Sequence, residues 1–311
     1  MELAERFSFF SFYKNHDNTR LGTYGQFAEE AIAFDQIARS VHDESDDLAV
    51  ARQIFESLPL RWTGAWNLTQ EKEVLVPINW FYAINAFNGP SAGNCVEEAL
   101  SQGICEIVER HVSSVISRQR MATPLIDPTS ATDRLVREML GKYAAAGIKV
   151  FITDFTLDMG IPSIGVLAYD PSTFPAKSEI VWTAGTTPSP EKALSRALTE
   201  VAQLAGDFNS GSNYVASGLP KYTRLEDADY VINAPGPISL ANLPDISHPN
   251  IRNEVEACIQ ALSQRDYEVL VVDTMHPQLA VPAFYTIVPG AHFRERAAGT
   301  SVAMFAAKIT M

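Results

Sequence analysis

The chain has 311 residues, 46% of them hydrophobic and 20% charged, and a formal net charge of −13. That length and composition suit one large globular domain or two smaller ones, and the acidic balance disfavours nucleic acid and anionic membrane as partners. Glu2 and Glu5 follow Met1 with no basic stretch and no long apolar run, so neither a signal peptide nor a transmembrane helix is expected.

In chain order, Leu3 to Tyr13 reads as an aromatic-rich helix without an obvious N-cap. A second helix is expected over Phe27 to Arg39, and a third after the acidic run Asp43 to Asp47, where negative charge favours a helix N-terminus. Val74 to Tyr82 has the content of a strand, and Phe87-Asn88-Gly89-Pro90 of a turn. The spacing predicts a long helix over Val96 to Gln119 and another over Thr132 to Ala145, ended by Gly147. Strands follow at Val150 to Thr153, Ser163 to Tyr169 and Ile180 to Thr183, then a helix from Pro190 to about Gly206. Asn209 to Asn250 reads as mostly loop with room for a short helix, Glu254 to Gln264 as a helix, and Val269 to Asp273 and Phe284 to Val288 as strands. Cys95, Cys105 and Cys258 show no CxxC spacing and read as reduced thiols, as in a cytoplasm.

Two internal echoes, for which chance is the alternative, point to a repeated β-β-α unit. Ala92-Gly93-Asn94 before Glu98-Ala99-Leu100-Ser101 resembles Ala184-Gly185-Thr186 before Lys192-Ala193-Leu194-Ser195. The run from Val271 through Asp273 to Val281-Pro282 resembles that from Ile152 through Asp154 to Ile161-Pro162. Helices packed on sheets, an α+β or mixed α/β fold, follow from such repetition.

Glu98, Gln102, Glu106 and Glu109 fall on one side of the long helix, opposite Leu100, Ile104, Ile107 and Val108. A solvated acidic face explains this spacing. Yet like charges one turn apart repel, and carboxylates in a row suit a hard cation such as magnesium. Glu2 and Glu5, with Arg6, sit on the first helix, and Arg196, Glu200 and Gln203 share a face on a later one. Each alone reads as a surface ion pair or solvated polar group rather than as a site. Ser91-Ala92-Gly93-Asn94 precedes a helix N-terminus, a geometry suited to phosphate. Neither a Walker loop nor a GxGxxG occurs.

Taken together, these segments resemble the YcaO family. Glu2-Leu3-Ala4-Glu5-Arg6-Phe7-Ser8 resembles the end of its first motif; Ser91, Glu98 and Gln102, continuing into Glu106, Glu109 and Arg110, its second; Arg196 to Glu200 its third; and Val288-Pro289-Gly290 a later turn. The resemblance implies a single YcaO-like domain over residues 1–311 that binds ATP and Mg2+. Glu2, Glu5, Glu106, Glu109 and Glu200 would hold the metal, and Arg6, Ser91, Glu98, Gln102, Arg110 and Arg196 would complete the nucleotide site. All three clusters would then converge on one triphosphate. The implied chemistry is phosphorylation of a peptide amide oxygen, leading to a thioamide or an azoline. The implied alternative is a non-catalytic accessory factor for ribosomal protein methylthiolation. Expected partners are a peptide or protein substrate, a TfuA-type protein or a methylthiotransferase, and a second copy of the chain.

Three departures accompany the resemblance. The family's opening motif has a Ser four residues before its first Glu, a place that would precede Met1, so Met1 reads as an internal methionine and an upstream segment is expected. The chain ends Phe305-Ala306-Ala307-Lys308-Ile309-Thr310-Met311 rather than in a Pro-rich tail, which favours a thioamide or a helper role over an azoline. Ala205 stands where the family often has Arg. His111, beside Arg110, reads as an ordinary packed or surface residue, and His276 and His292 carry no expected role.

Overall fold

The computed structural model describes residues 1–39, 41, 47–85, 87–176, 180–204, 219–220 and 222–293. The first residues of the acidic run, Ala205, the start of the stretch from Asn209, and the C-terminal residues from Phe305 lie outside the described residues. Helix α1 spans Glu2–Lys14, with Arg6 bonded back to Glu2 one turn earlier. It is followed by the three-residue strand β1, Arg20–Gly22.

Two expectations fail in the next stretch. The helix foreseen over Phe27 to Arg39 is two short ones, α2 (Tyr24–Phe27) and α3 (Phe34–Ala38). Between them the backbone is extended: Ile32 N donates to Leu75 O at 3.1 Å, and Leu75 N to Glu30 O at 2.8 Å. Pairing with a distant strand thus overrides local helix propensity. Helix α4, Leu48–Glu56, starts as foreseen, because the Asp47 carboxylate accepts from the Ala49 amide at 2.8 Å. Strand β2, Leu60–Asn67, was not foreseen, and β3 covers only Lys72–Pro77. The residues foreseen to extend that strand form helix α5, Ile78–Asn85. Trp80, Phe81 and Ile84 are buried at helical spacing there, and a strand would turn Trp80 and Phe81 to opposite faces.

Beyond Asn85 the foreseen helices and strands are present within a few residues of their expected limits, and one short strand, β4 (Pro90–Ala92), was not foreseen. Helix α6 spans Val96–Gln119. Helix α7 covers Arg134–Ala145, with the Asp133 carboxylate accepting from Leu135 N at 2.8 Å. Strands β5 (Lys149–Asp154), β6 (Ser163–Tyr169) and β7 (Val181–Thr186) lead into α8, Pro190–Leu204. The loop-rich stretch holds the short helix α9, Asp229–Ile232. Helix α10 (Ile251–Ser263) and strands β8 (Leu270–Asp273) and β9 (Ala283–Ile287) follow.

The chain divides into two compact units, residues 1–107 with 251–311, and residues 108–250. In the first, a six-stranded antiparallel sheet runs β1-β2-β8-β9-β4, with β3 on the other edge of β2. Phe9, Phe55, Trp62, Trp80, Phe81 and Tyr285 form its aromatic core, and Trp62 Nε1 donates to Gly22 O at 2.9 Å. In the second, the antiparallel sheet β5-β6-β7 packs Ile164, Val166 and Val181 against Ala193, Leu194, Ala197 and Val201 of α8.

The repeat is real, but its register differs from the one read in sequence. In each unit an aspartate at a strand end caps the following turn: Asp154 accepts from Thr156 N at 2.8 Å and Asp273 from Met275 N at 2.9 Å. Each unit then reaches a proline whose carbonyl accepts an amide from just beyond the third strand. Gly93 N donates to Pro282 O at 3.1 Å, and Thr187 N to Pro162 O at 3.3 Å. Ala92 therefore matches Thr186, not Ala184. In this register both helices start alike, at Val96 and Pro190. Both also lie close to a strand. A Cβ on Gly103 would meet Ser91 Oγ at 2.7 Å, and one on Gly185 would meet Ala197 N at 2.8 Å. The small residue is on the helix in one unit and on the strand in the other.

Candidate nucleotide and metal site

Helix α6 carries acidic residues belonging to both units. A solvated acidic face does not describe it: Leu100, Ile104, Ile107 and Val108 are buried as expected, but Glu109 is also only 7% exposed. Four buried apolar residues and a buried acid on one helix require that the acid be answered by polar groups.

In the first unit, Glu5 of α1 is half-buried and feels the charge of Glu106 on α6. Burial and the charge of Glu106 push its carboxyl up to about 7, against the pull of Arg6. Arg6 Nη2 lies 3.3 Å from Glu2 Oε1 on the exposed side of α1. Ser91 is fully buried on β4. Glu98 faces the start of its own helix, where its Oε2 accepts from the Asn94 amide and from Asn94 Nδ2, both at 2.8 Å. Gln102 and Glu106 are half-buried one and two turns further on. In the repeat register Gln102 and Glu106 occupy the places of Arg196 and Glu200 on α8.

In the second unit, Glu109, Arg110, Arg196 and Glu200 come together. Burial raises the Glu109 carboxyl, while Arg110, Arg196 and a hydrogen bond from the Thr186 backbone N–H draw it down. Arg110 Nη1 lies 3.8 Å from Glu109 Oε1. Glu200 is pushed up to about 7, chiefly by burial and then by the neighbouring charge of Glu109, against Arg110 and Arg196. Gln203 is exposed on the same helix, and His111 is buried. Thr186 escaped sequence reasoning because its contribution is a backbone amide; the echo around Gly185 was the only signal pointing there.

Glu109, held toward its neutral form by burial, and Glu200, held there by burial and by the charge of Glu109, are groups that a divalent cation would return to charge. Their donors are oxygens, which magnesium prefers. Among the described residues, no three histidines, cysteines or carboxylates are gathered as a metal cage. Magnesium commonly takes only one or two carboxylates and completes its shell with phosphate oxygens and water, so the residues present fit a metal carried in with a nucleotide.

Residues 1–292 match the family model described as YcaO cyclodehydratase, ATP- and Mg2+-binding. A Methanothermobacter thermautotrophicus protein is 28% identical over 74% of this chain and 65% of its own. A Rhizobium leguminosarum protein from the tfuA 3′ region is 25% identical over 88% of this chain and 69% of its own. The Escherichia coli ribosomal protein S12 methylthiotransferase accessory factor YcaO is 29% identical over 71% of this chain, and this chain spans 39% of it. Among solved structures, a heterocyclase in complex with substrate and cofactor superposes with a TM-score of 0.75 at 21% identity, covering 94% of this chain and 42% of that one. The Methanopyrus kandleri YcaO bound with AMPPCP and Mg2+ superposes at 0.60 with 23% identity, covering 74% of this chain and 64% of that one. The motifs on α1, α6 and α8, the mixed helix-and-sheet fold and the family match agree: this chain belongs to the YcaO family.

Proposed function

We propose that this chain binds ATP with Mg2+ and uses it to activate a backbone amide of a peptide or protein. The observation that carries this reading is the gathering of buried Glu109 and half-buried Glu200 with Arg110 and Arg196, within a family described as ATP- and Mg2+-binding. Magnesium, when bound, neutralises phosphate charge and orients the transferred group. In the second unit, Glu109 and Glu200 would hold the metal, and Arg110 and Arg196 would pair with phosphate oxygens. In the first unit, Glu2, Glu5 and Glu106 on α1 and α6 are the further carboxylates that the family resemblance assigns to Mg2+. Arg6, Ser91, Glu98 and Gln102 would complete the nucleotide's surroundings. Phosphorylation at the amide oxygen makes the carbonyl carbon attackable, and a sulfur donor or a neighbouring side chain then gives a thioamide or an azoline. Because such transfer needs mainly positioning and charge neutralisation, no nucleophile–base pair is required.

Calorimetric titration of the chain with ATP tests this. Binding that needs Mg2+ and is weakened by Glu109→Gln supports it; equal heats with and without Mg2+, or for both proteins, would overturn it. A second reading, an accessory factor, is favoured by the name of the Escherichia coli relative. Phosphate release that rises with a peptide substrate separates the enzyme from such a helper. Co-purification with a TfuA-type protein, motivated by the Rhizobium relative, or with a methylthiotransferase identifies the partner. Sedimentation tests the proposed pairing of two copies.

A further inference from the structure

A cavity of about 890 Å3 opens in the first unit, lined at one side by Tyr13, Lys14 and His16 at the end of α1 and just beyond it. Arg61 of β2 and Tyr82 of α5 face them, and Leu21 of edge strand β1 lies at the rim. Helix α1 is 13 residues long. At 1.5 Å per residue, Lys14 therefore lies roughly 18 Å along the helix from Glu2, well beyond the carboxylates at its start.

The chemistry of this wall is unlike that of the chain. Acidic residues outnumber basic ones 37 to 24 overall, yet the cavity is lined by Lys14, His16 and Arg61 and by no Asp or Glu. Arg61 Nη2 lies 3.3 Å from His16 Nδ1, and the Lys14 ammonium lies 5.8 Å from the Phe10 ring centre. None of the three is paired with a carboxylate among the described residues. Tyr13 and Tyr82 stand 4.7 Å apart between ring centres. Burial raises both phenols, so they remain neutral donors. Leu58 and Leu60 are buried behind these polar groups, whereas Leu21 is 72% exposed on a strand that pairs only with β2 among the described strands.

From this we infer that the cavity is a docking site for an acidic, extended segment of the peptide substrate, with carboxylates on Lys14, His16 and Arg61 and apolar side chains between Leu21 and Tyr82. Charge complementarity selects the acids. The apolar and aromatic wall, together with the free edge of β1, favours a peptide over an inorganic anion. The inference rests on the reading that this chain acts on a peptide, and it adds a place where that peptide is held, at the far end of α1 from Glu2 and Glu5.

The test is fluorescence anisotropy on the full chain at low salt. The probe is a dye-labelled peptide of about eight residues, ~26 Å when extended, alternating Asp or Glu with Leu; its Asn/Gln counterpart is the control. Expected are binding of the acidic peptide at least about tenfold tighter than the control, loss with rising salt, and weakening of about tenfold or more by Arg61→Glu and by Lys14→Glu. Lys14 is exposed, so its variant reports on the site even if the Arg61 variant folds poorly. ATP binding by the Lys14 variant should be unchanged. Equal affinity for both peptides, no effect of Lys14→Glu, or complete displacement by inorganic phosphate would overturn the docking site. Absence of ATP binding in the unaltered chain would instead remove the functional reading, so the two failures are distinguishable.

Discussion

The backbone N–H of Thr186, the last residue of strand β7, donates to the carboxylate of Glu109 on helix α6. A buried acid is thus held by a strand end as well as by the guanidinium groups of Arg110 and Arg196. Glu109→Gln keeps an acceptor for that amide and removes the charge. The expected outcome is a cooperative fold with ATP·Mg2+ affinity lowered by tenfold or more, about 1.4 kcal/mol, read by calorimetry.

The Glu200 carboxyl, pushed up to about 7 from 4.5, makes stability depend on pH. Between those values the folded chain binds a proton that the unfolded chain releases. The stabilisation is therefore full below 4.5 and is lost as pH rises through 7. At pH 8 without Mg2+, Glu200→Gln should be more stable than the unaltered chain by about 2 kcal/mol, with the difference closing toward pH 4.5. Denaturant melts at the two pH values check this. A variant less stable at both would show that Glu200 is held as a favourable ion pair.

Gly185 and Gly64 provide a matched pair for the helix–strand contact. A Cβ at Gly185 would lie 2.3 Å from Ala193 O and 2.8 Å from Ala197 N, both backbone atoms, while one at Gly64 meets nothing within 4 Å. Gly185→Ala should destabilise the chain by about 1–3 kcal/mol, and Gly64→Ala should be neutral or slightly stabilising. Chemical denaturation of the two variants side by side gives the comparison.

Glu98 holds the Asn94 amide and side chain at the start of α6. Its truncation to Ala should cost about 1 kcal/mol, as for other lost helix caps. If Glu98 also serves the nucleotide, ATP affinity falls by more than in Asn94→Ala, which loosens the same cap without removing the charge. Equal losses in the two variants would assign Glu98 to the cap alone.

Much of this molecule was legible from residue types alone. The limits of α6 follow from apolar spacing and a turn before it, and the repeat was visible as an apolar strand, an aspartate and an aliphatic-proline pair. Each of these signals is local: helix period, strand alternation and an Asx turn involve residues within a few positions of one another. The motifs on α1, α6 and α8 were likewise readable as short spacings.

What escaped was set by partners far away in the chain. Strands β1 and β4 have three residues each and exist because β2 and β9 pair with them. Strand β2 lies between β3 on one edge and β1 and β8 on the other, and its burial pattern is too irregular for an alternating signature. The extended backbone at Ile32 follows from Leu75, whose amide and carbonyl need partners. The same holds at the candidate site. The sequence by itself determined which acids share a helix face. Only tertiary structure decided that Glu98 turns back onto Asn94, that a Thr186 amide reaches Glu109, and that burial lifts Glu5 and Glu200 to about 7. Desolvation and backbone hydrogen bonds depend on what surrounds a group in space, and no spacing along the chain encodes that.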